Sequence, residues 1–179
     1  MNSNFCNPFR VIAGGKALVW GVVFIASAVA LLCWGGLVQD GYLRFGLRAD
    51  GVRAWQVAAM EVLWWLIPAL LLYGCGVAMS HSKIRAIDML GTTAFAQLLL
   101  LPMIAPLLLF DMTQSPVAPA WAMMLFAVWA LAWLILFFVW NYSAFSLSCN
   151  VRGTKAVCVF TAVQILLVCF SGLFGRAIL

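Results

Sequence analysis

Five continuous apolar runs, separated by short polar segments, set the pattern of this chain. They lie near Ala17–Val38, Trp55–Met79, Ile87–Phe110, Pro119–Phe145 and Ala156–Phe174. A hydrocarbon core of about 30 Å takes about 20 helical residues to cross, and each run is about that long or longer. The pattern predicts an all-α, polytopic transmembrane helical bundle of five helices. The polar segments are 39–54, rich in Gly, Asp and Arg, then 80–85, 111–116 and 146–155. None is long enough to hold a second domain and no repeat is evident, so residues 1–179 are expected to form a single integral membrane domain.

Composition removes the soluble alternative. Of 179 residues, 66% are hydrophobic and 8% charged, against roughly 45–50% and about 25% in an ordinary globular domain. Too little polar surface remains to clothe a water-soluble fold. Arg10 and Lys16 ahead of an apolar run, with Ala26-Ser27-Ala28 inside it, resemble a signal peptide; the run continues through Leu31, Leu32 and Trp34, which suits an uncleaved span better. Lys and Arg in short loops mark the cytoplasmic side. One side carries Arg10, Lys16, Lys83, Arg85, Arg152 and Lys155, the other Arg44, Arg48, Arg53 and Arg176. This six-to-four split predicts a cytoplasmic N-terminus and an outside C-terminus. Aromatic belts are expected at Trp20 and Trp34, at Trp55 and Tyr73, and at Trp121 with Trp140 and Tyr142.

Helices in lipid gain no hydrophobic drive from meeting, so small and polar residues mark their contacts. Gly14, Gly21, Ala28 and Gly35 recur every seven residues and predict a packing seam on the first helix. On the last helix, Thr154, Thr161, Gln164, Ser171 and Gly175 fall along one stripe that should face the bundle. Pro68, Pro102 and Pro106 remove backbone hydrogen bonds in mid-membrane and predict kinks.

Acids within spans are candidates for function. Glu61 is the deepest charge, about one and a half turns inside the second span; Gln97 and Gln164 are further intramembrane polar candidates. Asp88 has Arg85 three residues before it and Thr92 four after it, which predicts a charge-paired start to the third helix. Lys83, Arg85, Asp88, Thr92, Arg152 and Lys155 thus form a candidate cytoplasmic polar cluster. Catalysis has little to work with: the one histidine, His81, stands in a loop, and no nucleophile elbow, zinc-protease motif or phosphate loop is present. The six cysteines hold no C-x-x-C pair and most lie in apolar runs, so neither a metal nor another cofactor is expected. Nucleic-acid binding has no basis.

Three segments are familiar together: Asn7-Pro8-Phe9-Arg10, then Ser82 through Thr92 (SKIRAIDMLGT), then Trp140-Asn141-Tyr142-Ser143-Ala144-Phe145. With five spans in a short chain, this resembles bacterial members of the Yip1 domain family, of the Bacteroidetes type. The resemblance implies a helical bundle in the bacterial inner membrane with a cytoplasmic N-terminus. Eukaryotic relatives are membrane-traffic proteins that associate with small GTPases through a longer N-terminal segment and a D-L-Y-G-P motif. That motif is absent here, so GTPase binding is not carried over. The expected function is non-enzymatic association with membrane lipids, other membrane proteins or further copies of the chain. The alternative is a small transporter or channel component with a polar cavity between kinked helices.

Overall fold

The computed structural model describes residues 8–10, 12, 14–80, 84–109 and 120–174. Five helical spans carry the fold: α1 (Gly14–Trp34), α2 (Ala54–Met79), a third span in two pieces, α3 (Ala86–Ala96) and α4 (Leu100–Leu109), then α5 (Ala120–Ser148) and α6 (Thr154–Phe174). All five are long and apolar enough to cross a membrane, and the chain is a multi-pass membrane protein. Helix α1 begins at Gly14 and α5 ends at Ser148, where the apolar runs suggested 17 and 145. Helical geometry reaches past the apolar run at both of these ends. His81, Ser82 and Lys83, the segment 110–119 with Asp111, and Gly175 with Arg176 lie outside the described residues.

The third span is the hub of the bundle: 61% of its most apolar stretch is buried, against 11% for α5, whose outward face carries Met124, Leu125, Val128, Leu131 and Ile135. Its sequence explains that place, because Gly91, Thr92, Thr93, Ala94 and Ala96 are small enough to let neighbours approach on several sides. Helix α1 lies along it in parallel. A Cβ at Gly91 would stand 2.5 Å from the Gly14 carbonyl oxygen and 2.9 Å from the Leu18 nitrogen, and one at Gly21 would stand 2.6 Å from the Ala94 carbonyl carbon. Further along, Gly35 faces Leu108 and Ala28 is buried. The small residues of α1 thus meet the third span from end to end.

The prolines act unequally. Helix α2 runs through Pro68 without a break, whereas the third span tightens into a 3-10 turn at Gln97–Leu99 just before Pro102. Pro106 has no N–H to give the carbonyl four residues back. That carbonyl, of Pro102, instead accepts a 2.8 Å hydrogen bond from Trp129 Nε1 on α5. One aromatic side chain therefore repairs the helix that proline opened, and the edge-on Trp129–Trp133 pair belongs to this joint. Trp140 is a correction to the aromatic belt. It is buried, stacked on Phe95 at 5.8 Å and met edge-on by Phe9 at 5.9 Å. Trp34, Trp55 and Trp121 are exposed at helix ends, as a belt requires.

One element departs from the all-helical expectation. Residues 37–47, read from sequence as the edge of a span and a polar loop, form an antiparallel hairpin of β1 (Leu37–Gly41) and β2 (Arg44–Leu47). Leu37, Val38, Gln39, Gly41 and Tyr42 are buried, and the hairpin packs against α1, α2 and α6.

Candidate functional site

The hairpin does not lie on the end of the bundle. Tyr42, in the tip between the strands, has its ring 6.3 Å from that of Phe137. Phe137 lies 17 residues into α5, roughly 25 Å from the start of that helix at 1.5 Å per residue. Beside the tip, a Cβ on Gly41 would stand 3.4 Å from Ser171 of α6. The hairpin therefore dips back to membrane depth from the face where α1 ends. Non-helical backbone is tolerated there only when protein surrounds it or water reaches it, because lipid offers no hydrogen-bond partners. The strand ladder satisfies much of the backbone, and Gln39 Nε2 donates to the Tyr42 carbonyl at 3.0 Å, closing the tip from within.

The register between the strands slips between Gln39 and Gly41, leaving Asp40 as an extra residue on β1. A bulge of this kind re-aims a side chain. The Asp40 carboxylate turns over Gly46 and grips Arg44 in a two-pronged pair, with Nε to Oδ1 and Nη2 to Oδ2 both at 2.8 Å. Gly46 has no side chain to block it: a Cβ there would stand 3.3 Å from Oδ2. This is the single ion pair among the described residues. Its hydrogen bonds, more than its charge, raise the Arg44 guanidinium above its ordinary range.

Several further polar groups are buried without full pairing. Tyr42 Oη, both side-chain atoms of Gln164, Glu61 Oε2 and the indole nitrogens of Trp64 and Trp65 are buried with no hydrogen-bond partner. Burial pushes the Tyr42 phenol above its ordinary range, and the nearby Gln164 carboxamide offsets part of that rise. The two groups are neighbours without the geometry of a hydrogen bond. Gln164 faces the bundle from the middle of α6, and Glu61 points inward from α2 with Val57, Met60 and Trp64 on the same face. A lone carboxylate charge in such surroundings costs several kcal/mol, so Glu61 carries that cost unless a proton or a cation neutralises it. Gln97 is buried in the 3-10 turn of the third span.

The expected cluster at the other face is rearranged. Asp88 makes no ion pair with Arg85, Arg152 or Lys155; Lys83 is outside the described residues. Arg85 sits at the N-cap in extended backbone, so helical spacing does not bring it over Asp88. The Asp88 carboxylate instead approaches Gly14, with Oδ1 3.0 Å from where a Cβ on that glycine would stand. Helix α1 has no acid in its own first turn, and an acid beside a helix N-terminus complements its dipole. Thr92 donates to the Asp88 backbone carbonyl at 2.7 Å and shares a 3.2 Å hydrogen bond with Ser148 of α5. Arg152 and Lys155 are exposed.

Two outward-opening grooves complete the surface. One, of about 420 Å³, runs between α5 and α6 past Phe138, Phe160, Thr161, Gln164 and Val168. The other, of about 450 Å³, lies between the hairpin, α4 and α5, with Arg44, Met103, Leu107, Phe126, Ala127 and Leu134 on its walls. Among the described residues no cluster of His, Cys, Asp and Glu could hold a metal ion.

Fold and site together define a multi-pass membrane protein with five helical spans and a hairpin set into the bundle. Comparison with protein-family models, curated proteins and solved structures finds no match to this chain.

Proposed function

We propose that this protein is non-enzymatic and acts through association with membrane lipids, with other membrane proteins or with further copies of itself. The observation that carries the reading is the pair of grooves between spans, both opening outward at membrane depth. Such grooves suit an acyl chain or a partner helix. A Yip1-like role in membrane organisation accords with the three segments named above. Phe9 of the first meets Trp140 of the third, while Met89 of the second and Phe145 of the third pack in one cluster. The N-terminus is cytoplasmic in this reading, which the six-to-four split of Lys and Arg favours. The test is reciprocal purification from native membranes, with mass spectrometry of proteins and retained lipids. A chain that emerges monomeric, free of specific lipid and free of a reproducible partner would overturn the reading.

A second reading, a small transporter or channel component, is favoured by Tyr42 Oη in the re-entrant hairpin, the Gln164 carboxamide and Glu61 Oε2, all buried without a hydrogen-bond partner. It requires solute or ion flux in proteoliposomes that Glu61→Gln abolishes. Vesicles as tight with the protein as without it would dispose of it.

A further inference from the structure

We infer that the groove beside the hairpin is a binding site for an anionic phospholipid, with the lipid phosphate on Arg44 and one acyl chain along α5. The inference rests on the association reading and specifies one lipid class for it. Three features of the groove carry it.

First, its walls match an amphiphile. Met103, Leu107, Phe126, Ala127 and Leu134 offer an apolar channel, and Arg44 is the one charged side chain among the described residues that line it. A hollow of about 450 Å³ with mostly apolar walls and a single placed polar group has the character of a ligand site.

Second, Arg44 is prepared as a donor. A guanidinium has five N–H groups. Asp40 takes one from Nε and one from Nη2, which leaves three for a ligand. The two-pronged grip also fixes the plane of the guanidinium, so little freedom is lost when a phosphate oxygen arrives. The side chain remains 39% exposed, so those donors are reachable.

Third, the depth is right. Asp40 turns its carboxylate over Gly46, toward the open end of the hairpin and so toward the membrane surface, and draws Arg44 with it. Phe126 lies six residues into α5, roughly 9 Å along the helix, and Leu134 lies roughly 21 Å along it. These lining residues span roughly 12 Å along α5, so the channel runs with the helix axis, as a lipid tail does. The hairpin and the segment after it carry Arg44, Arg48 and Arg53 against Asp40 and Asp50, a net positive charge of one. That balance favours an anionic over a zwitterionic headgroup.

The test is native mass spectrometry of the full-length chain in detergent, with phosphatidylglycerol and phosphatidylcholine of identical tails supplied together. The wild type should retain phosphatidylglycerol over phosphatidylcholine by about fivefold, the size of one basic contact near a membrane surface. Arg44→Gln should erase the preference, and Arg48→Gln, off the groove, should keep it. Ala127→Trp fills the channel without touching the ion pair and should reduce retention of both lipids, which keeps the test open if Arg44→Gln misfolds. Equal retention of both lipids by the wild type, or a preference that survives both groove variants, would overturn the site. A chain that retains no lipid yet still brings down the same partner proteins from the membrane would overturn the site and leave the association reading standing.

Discussion

Gly21 and Gly74 are both glycines inside long apolar helices, yet a methyl group at each meets opposite surroundings. At Gly21 it would press on the Ala94 backbone of the third span, while at Gly74 nothing lies within 4 Å. Gly21→Ala should therefore cost about 1–3 kcal/mol through overpacking, whereas Gly74→Ala should be neutral or slightly stabilising. Thermal unfolding in detergent separates the two, and equal midpoints would show that α1 does not ride so close to α3. The same scale governs reactivity at the start of the last loop. Cys149 is buried, and burial, with a smaller contribution from Cys75, pushes its thiol up to about 11. Below that pH the group stays a neutral thiol, and the thiolate is the reactive form. Cys149 should therefore resist a water-soluble maleimide at pH 7.5 in the folded protein and react once it is unfolded; prompt labelling of the native chain at that residue would contradict the packing. The seam glycines were legible in sequence because small residues spaced by seven have few other uses in a membrane helix. The place of the Asp88 carboxylate was not legible, since Gly14, which it approaches, is 74 positions away.

Between elements, the joint of α4 and α5 gives the sharpest expectation. Trp129→Phe keeps the ring but strips the N–H from the Pro102 carbonyl, leaving an unsatisfied acceptor at a cost of about 1–3 kcal/mol. Adding Pro106→Ala restores a backbone N–H four residues after Pro102, so the double variant should recover most of that loss. A double-mutant cycle by thermal unfolding checks it, and strict additivity would mean the two residues do not serve the same carbonyl. The hairpin makes the complementary case. Tyr42 Oη and the Gln164 carboxamide are buried neighbours that satisfy each other poorly, so Tyr42→Phe with Gln164→Leu should be nearly neutral or stabilising, because both partners leave together. A large loss of stability would mean that a bound group pairs them. The hairpin itself was missed in sequence because Gln39 to Ala54 is rich in Gly, Asp and Arg and reads as loop. Asp40-Gly41 beside Val38, Tyr42 and Phe45 was the available signal for a hairpin, although the turn itself falls one step later, at Tyr42-Leu43.

For the whole molecule, the proposed topology of five crossings calls for termini on opposite sides, with the N-terminus inside by the split of basic residues. Reporter fusions at residue 1 and residue 179 should report cytoplasm and exterior respectively; the same compartment at both ends would remove one span from the membrane. This level was the most legible in sequence, because lipid demands long apolar helices and little else satisfies that demand. Polar chemistry was the least legible, since which buried side chains meet depends on contacts that no spacing records. The inset hairpin also constrains how the protein is made. Tyr42 leaves the ribosome 122 residues before Gln164, the side chain it finally lies beside. At roughly 5–20 residues per second that interval is on the order of ten seconds. For most of it α1 and α2 have been made, while α6, the last of the helices that enclose the strands, does not yet exist. Until that helix arrives the hairpin lacks one of its walls, so truncation before α6 should leave it open to an added protease.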